Sequence, residues 1–266
     1  MEHEVLIRLS VFFGLFILLA TAEHLVPRRT PTESRPRRWR TNWGMSLLNT
    51  GALRLLALAL PALAVGATLD AATLGWGLFH ILDWPSWVEL LLAILIFDFA
   101  IWLQHLVTHK VPLLWRLHQV HHADRDMDVT TAIRFHPIEI ALSMVLKIGL
   151  VYLIGPSALA IILFEILLNG TAMFNHSNIR LPLGFDAVLR RILVTPDMHR
   201  VHHSVHRQEH DSNYGFSLSI WDRAFGTYIP QPAAGHEGMT TGLRWQDERP
   251  ARLGWSLALP FMRKPK

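Results

Sequence analysis

The sequence predicts an all-α membrane protein: about four or five transmembrane or re-entrant helices beneath a histidine-rich helical cap on one side of the bilayer. Three observations lead there. Of 266 residues, 51% are hydrophobic and only 17% charged, whereas soluble domains usually carry nearer a quarter charged residues. The apolar residues fall in long blocks rather than evenly. The 16 histidines are bunched beside those blocks.

Each block can be placed in turn. Val5 to Ala22 is long enough for a slightly short spanning helix. Ala20-Thr21-Ala22 resembles a signal-peptidase site, but the acidic opening Met1-Glu2-His3-Glu4 is unlike the basic start of a signal peptide, so the block is read as a retained span. Arg28, Arg29, Arg35, Arg37, Arg38 and Arg40 follow among prolines, which marks a cytoplasmic juxtamembrane loop by the positive-inside rule. A second block runs from Trp43 to Leu69, and the stretch from Asp70 to Pro85, free of Lys and Arg, fits the opposite face. The third block, Trp87 to Thr108, returns to the basic side. Ile138 to Ile154 and Ser157 to Phe174 are separated only by Gly155-Pro156 and read as a helical hairpin. From Ile179 onward the chain is polar enough for cytoplasmic helices and loops. Residues 1–86 are thus expected to form an N-terminal transmembrane region of two helices and 231–266 a cytoplasmic tail.

The absence of cysteine excludes disulfides, iron–sulfur clusters and thiolate-held zinc or haem. The formal charge of +4 could suggest nucleic acid, but the arginines sit beside apolar blocks, where membrane topology accounts for them.

The histidines form three clusters. His105 and His109 lie four apart, on one helix face. His118, His121 and His122 occupy positions i, i+3 and i+4, and His199, His202 and His203 repeat that pattern about 80 residues later. Neutral imidazole binds iron, copper, zinc or nickel without burying a negative charge. Eight ligands exceed what one ion takes, since zinc sites use three or four, and suit two ions with open positions for a small molecule. Haem ligation would need one histidine from each of two helices and leaves the triplets unexplained. A non-catalytic metal or haem carrier is the alternative to an enzyme.

The runs Leu114-Trp115-Arg116-Leu117-His118-Gln119-Val120-His121-His122, Arg134-Phe135-His136-Pro137 and Thr195-Pro196-Asp197-Met198-His199-Arg200-Val201-His202-His203 closely resemble the fatty acid hydroxylase/sterol desaturase superfamily. The later Asn213-Tyr214-Gly215 and Ile220-Trp221-Asp222-Arg223 are similar to its C-terminal pattern, and the likeness covers residues 87–230, which it implies are the catalytic domain. The resemblance implies a membrane di-iron enzyme that uses O₂ to hydroxylate or desaturate a fatty-acyl or sterol-like lipid. It carries over His105, His109, His118, His121, His122, His199, His202 and His203 as iron ligands, with His176 as a ninth; zinc can replace iron in a purified sample. His136 is left open between ligand, pocket wall and backbone partner. Ether-lipid-cleaving members have an acidic residue after the first box, where this chain has Lys110, which weakens that assignment. No His-Pro-Gly-Gly run of a cytochrome b5-like domain occurs, so electrons are expected from a separate ferredoxin or cytochrome with its reductase. The expected location is a bacterial inner membrane with the site facing the cytoplasm.

Metal-bound imidazoles usually donate their other N–H to a carboxylate or carbonyl. Asp98, seven residues before His105 inside an apolar block, is the candidate supporting acid for catalysis. Asp124, Asp128, Asp197 and Asp222 are further candidates or else helix caps and surface pairs. His206, His210 and His236 are expected at the surface or behind the ligands. Arg54 and Lys147 are read as snorkelling or salt-bridged.

Overall fold

The computed structural model describes residues 3–60, 63–82 and 84–262. Among them there are helices and three isolated β-bridges but no strand. Among the described residues five segments are long and apolar enough to cross a membrane: Glu4–Leu25, Arg35–Ile81, Ser86–Lys110, Pro137–Ile154 and Ala158–His176.

Helix α1 (Glu4–Leu25) is followed by α2 (Arg35–Ala59), α3 (Ala64–Leu74) and the single turn α4 (Leu78–Ile81). The second apolar block is therefore not one continuous helix. Leu60 is extended (φ −114°, ψ 124°), as a residue before proline prefers, and Pro61 follows it. Helix α3 then packs its small residues Ala64 and Ala67 with Met144, Ile148 and Phe164 of the bundle. Helix α5 (Ser86–Lys110) returns to the first end and leads into α6 (Pro112–His122), with Pro112 in its first turn. Helices α7 (Pro137–Ile154) and α8 (Ala158–His176) make the expected hairpin. Its corner is tight: Gly77 and Gly155 both have positive φ, and a Cβ on Gly77 would lie 2.3 Å from the Gly155 nitrogen. Short helices α9 (Leu183–Leu189) and α10 (Pro196–His202) complete the cap.

Burial is inverted relative to a soluble bundle. Leu6, Ile17, Leu47, Leu58, Leu91, Leu142, Leu153 and Leu167 point outward, while Arg38, Asn42, Arg134 and every histidine of the three clusters are buried. A lipid solvent rewards that arrangement, since hydrocarbon tails are as apolar as leucine and buried polar groups act as glue. Of the five candidate spans α8 is the most enclosed and α1 the least.

Polar contacts tie one end of the bundle together. Arg38 of α2 donates to both oxygens of Asp124 at 2.7 and 2.8 Å and to Asp128 at 2.7 Å. Arg134 donates to Asn42 (2.8 Å) and to the carbonyls of Val120 (2.8 Å) and Pro250 (2.9 Å). Glu23, near the end of α1, accepts from the Val129 and Asn178 amides, both at 2.7 Å. The ends of α1, α5 and α8 and the starts of α2 and α7 thus meet at the cap. The segment after residue 230 folds back on it: Thr241 bridges to Ser204, and Leu253 packs against Gly44 of α2.

Candidate metal centre

Helical geometry sorts the histidines. Residues four apart share a face, whereas the residue between them at i+3 is turned about 100° from its neighbour at i+4. In α6, His118 and His122 point one way and His121 another. At α10 the split is the same but the partners are exchanged: His199 and His203, just past its end, join His121, and His202 joins His118 and His122. The outcome is two adjacent groups. His105, His109, His118, His122 and His202 bring ligand atoms within 4.8 Å of one another, and His121, His176, His199 and His203 do the same. The end of α5 completes the first group and the end of α8 the second. Rings of the two groups touch, with His122 and His203 stacked at 4.5 Å between centroids.

The hydrogen bonds fix which nitrogen faces inward. His105 Nδ1 donates to the Tyr214 carbonyl at 2.7 Å, and His118 Nδ1 to Glu139 Oε1 at 2.6 Å. His121 Nδ1 donates to the Arg134 carbonyl (3.2 Å), His176 Nδ1 to the Ala172 carbonyl (2.7 Å) and His202 Nδ1 to the Ser212 carbonyl (2.7 Å). Each of these five rings therefore presents a bare Nε2 lone pair to the interior. His105 Nε2 lies 3.0 Å from His118 Nε2, and His121 Nε2 lies 3.0 Å from His176 Nε2. Two bare lone pairs at that distance repel unless a cation lies beside both. Nitrogens bound at about 2.1 Å to one ion, at right angles, stand roughly 3 Å apart. Both nitrogens of His109, His122 and His203 are buried without a partner. Buried polar atoms are seldom left so. The donor set fits a pair of metal ions.

Electrostatics agrees. Burial, followed by the neighbouring imidazoles, drives His122, His199 and His203 well below the ordinary histidine range. His121 and His202 shift the same way for the same leading reason. Neutral rings are the form that binds metal.

Residues 90–227 match the sequence profile of the family described as fatty acid hydroxylase. The chain belongs to that family. It is 32% identical over 205 residues to an alkylglycerol monooxygenase of Xenopus tropicalis, a match covering 76% of this chain and 44% of that protein. It is 27% identical over 235 residues to the ornithine lipid hydroxylase OlsE of Rhizobium tropici, covering 86% of this chain and 70% of that one. A cholesterol 25-hydroxylase-like protein of Danio rerio is 29% identical over 145 residues, 52% of this chain and 55% of that protein. The chain thus spans less than half the length of the frog relative. No solved structure matches it.

All nine histidines singled out by sequence fall in the two groups. Asp98 is a correction. Its Oδ2 accepts from Trp221 Nε1 at 2.9 Å and the Leu218 amide at 3.3 Å, and among the described residues it bonds to no histidine. At two helical turns before His105 it reaches the 214–222 loop instead. Asp222 does the nearer work: it accepts from the Tyr214 and Gly215 amides, both at 2.9 Å, and from Trp102 Nε1 at 3.0 Å. That holds the carbonyl to which His105 donates. Asp124 and Asp128 pair with Arg38, and Asp197 with Arg28 and Arg200. His136 caps α7, accepting from the Ile138 amide at 3.2 Å, and lies outside both groups. His236 is buried, 3.6 Å from Asp197.

Glu139 was not among the sequence candidates. It is an acid within an apolar block, as Asp98 is, but it sits in the first turn of its helix. The acid missing at position 110 has a counterpart: Lys110 holds Asp211 at 2.8 Å, and Asp211 lies 3.6 Å from His109 Nδ1.

A cavity of about 350 Å³ runs into the bundle from His105 and His118. Ile101, Ile140, Met144, Leu168 and Phe216 are among its walls.

Proposed function

We propose that this chain is an O₂-dependent di-iron oxidoreductase that hydroxylates a membrane lipid. The observation that carries the reading is the inward set of bare imidazole nitrogens, two of whose rings, His105 and His118, line a largely apolar cavity within the membrane-spanning bundle. Relatives named as an alkylglycerol monooxygenase and an ornithine lipid hydroxylase support it. One iron would be held by the group of His105, His109, His118, His122 and His202, the other by that of His121, His176, His199 and His203. Bound iron would supply the activation of O₂ needed to oxidise an unactivated C–H bond. Imidazole packing, with centroids as close as 4.4 Å, suits two small ions better than a planar macrocycle.

The chain's own residues do the positioning. The cavity walls admit an acyl chain and direct it toward His105 and His118. Glu139, Tyr214, Arg134, Ala172 and Ser212 hold five rings by their Nδ1 protons, which fixes the tautomer and raises ligand basicity. Electrons would come from a separate ferredoxin or cytochrome with its reductase, docking on the cap at the cytoplasmic face of a bacterial inner membrane. Lipid mass spectrometry of expressing cells tests the reading. A lipid that gains one oxygen atom supports hydroxylation, whereas a lipid that loses two hydrogens replaces it with desaturation. No lipid change with an active donor system refutes it.

A further inference from the structure

Far from the histidines, the same cavity meets charge inside the bundle. Lys147 of α7, Glu165 of α8 and Arg8 of α1 all line it, together with Asn49, Asn169 and Ser143. Glu165 Oε1 accepts from Lys147 Nζ at 2.6 Å, Glu165 Oε2 accepts from Arg8, and Arg8 also pairs with Glu4 at 3.0 Å. The side chains of Lys147 and Glu165 are 11% and 8% exposed. Lys147 lies ten residues from the start of α7, and Glu165 eleven from the end of α8. At 1.5 Å per residue both stand roughly 15 Å from the cap, about half the hydrocarbon thickness. Charge at that depth is costly and by default marks a functional place.

An ion cluster that only joined helices would have its donors filled. Lys147 carries three N–H donors, and among the described residues Glu165 is its one hydrogen-bond partner. With its remaining donors unpaired, Lys147 lines the cavity of about 350 Å³ that also reaches His105 and His118. A hydrocarbon tail would leave them unmet. We propose that Lys147 is a specificity-determining residue, binding a hydrogen-bond acceptor of the lipid substrate, a carboxylate or an ester or amide carbonyl, with Glu165 and Arg8 holding it in place. This rests on the cavity being the lipid site of the proposed hydroxylase. It also sets a reach: Glu139, which holds His118, precedes Lys147 by eight residues, about 12 Å along α7, so at about 1.2 Å per bond the oxidised carbon lies roughly ten bonds from the bound acceptor.

The test is equilibrium binding of tritiated hexadecanoic acid to the purified full chain in detergent, with methyl hexadecanoate and hexadecane as competitors. In the wild-type chain hexadecane should compete on the order of tenfold less well than the acid, the worth of one hydrogen bond to a charged group. Equal competition by the ester assigns a neutral carbonyl, weaker competition an anion; both support an acceptor site. Lys147→Met alone strands Glu165, so the charge-balanced Lys147→Met/Glu165→Gln variant is paired with Lys147→Arg. The double variant should bring acid and hexadecane to within about threefold, and the arginine variant should keep them apart. Equal competition by hexadecane in the wild type, or a gap that survives the double variant, overturns the proposal. Binding needs no turnover, so this outcome is separate from failure to oxidise lipid.

Discussion

Replacing Glu139 by glutamine isolates the contribution of a single carboxylate to the metal centre. Glu139 Oε1 accepts the Nδ1 proton of His118 at 2.6 Å, and both side chains are buried. The amide oxygen of glutamine can accept that proton but brings no charge to make the imidazole more basic. Hydrogen bonds to charged groups contribute about 1.5–3 kcal/mol, and removing such a partner behind a metal ligand lowers affinity about 10- to 100-fold, equivalent to about 1.4–2.8 kcal/mol. Only the five-histidine group contains His118. Anaerobic Fe(II) titration against a competing chelator should therefore show one of two ions weakened by that factor and the other unchanged. Two ions bound as tightly as in the wild-type chain would refute the reasoning. So would equal weakening of both.

Gly215→Ala puts a Cβ 2.7 Å from Val194 Cγ2 and 2.8 Å from the Leu218 carbonyl; overpacking of this kind costs about 1–3 kcal/mol, seen as a lower melting temperature in detergent. Arg38→Met strands two buried carboxylates, Asp124 and Asp128, and should destabilise the fold by about 3–5 kcal/mol in the same assay. Burial lowers the folded pKa of His121, His122, His199, His202 and His203 below the ordinary value. For a base the unfolded chain then binds more protons, so stability is full above about pH 6.5 and lost as pH falls toward the folded values, by about 1.4 kcal/mol per pH unit per histidine. Melting of metal-free protein between pH 7.5 and 5, a window of about two and a half units that spans the histidine pKa, should show that decline; a flat profile contradicts it.

The histidine centre was legible because ligand spacing is local. Positions i, i+3 and i+4 are read directly from a helix, and His176 stood out at the end of an apolar block. Which ring joins which group was not legible. That depends on how α6 and α10 are rotated against each other, a tertiary property. The supporting acids were legible only in kind. Asp98 and Glu139 carry the same signal, an acid in an apolar helix, but Asp98 faces the 214–222 loop and Glu139 faces His118. Spacing along one helix cannot tell these apart. The Asn213-Tyr214-Gly215 run shows what a motif can conceal. Asn213 takes a left-handed backbone (φ 50°) and ties Met198 to Ile229, Gly215 fits where a side chain cannot, and the Tyr214 carbonyl between them orients His105. The break between α2 and α3 was present in Pro61, but hydropathy summed across the block hid it.

Iron-edge X-ray absorption with metal quantification, on protein reconstituted anaerobically with Fe(II), tests the central claim most directly. The expected result is two irons per chain, each in a shell of imidazole nitrogens at about 2.1 Å, with an iron–iron vector. A single iron, or none retained after desalting, would contradict a centre built from two groups of histidines.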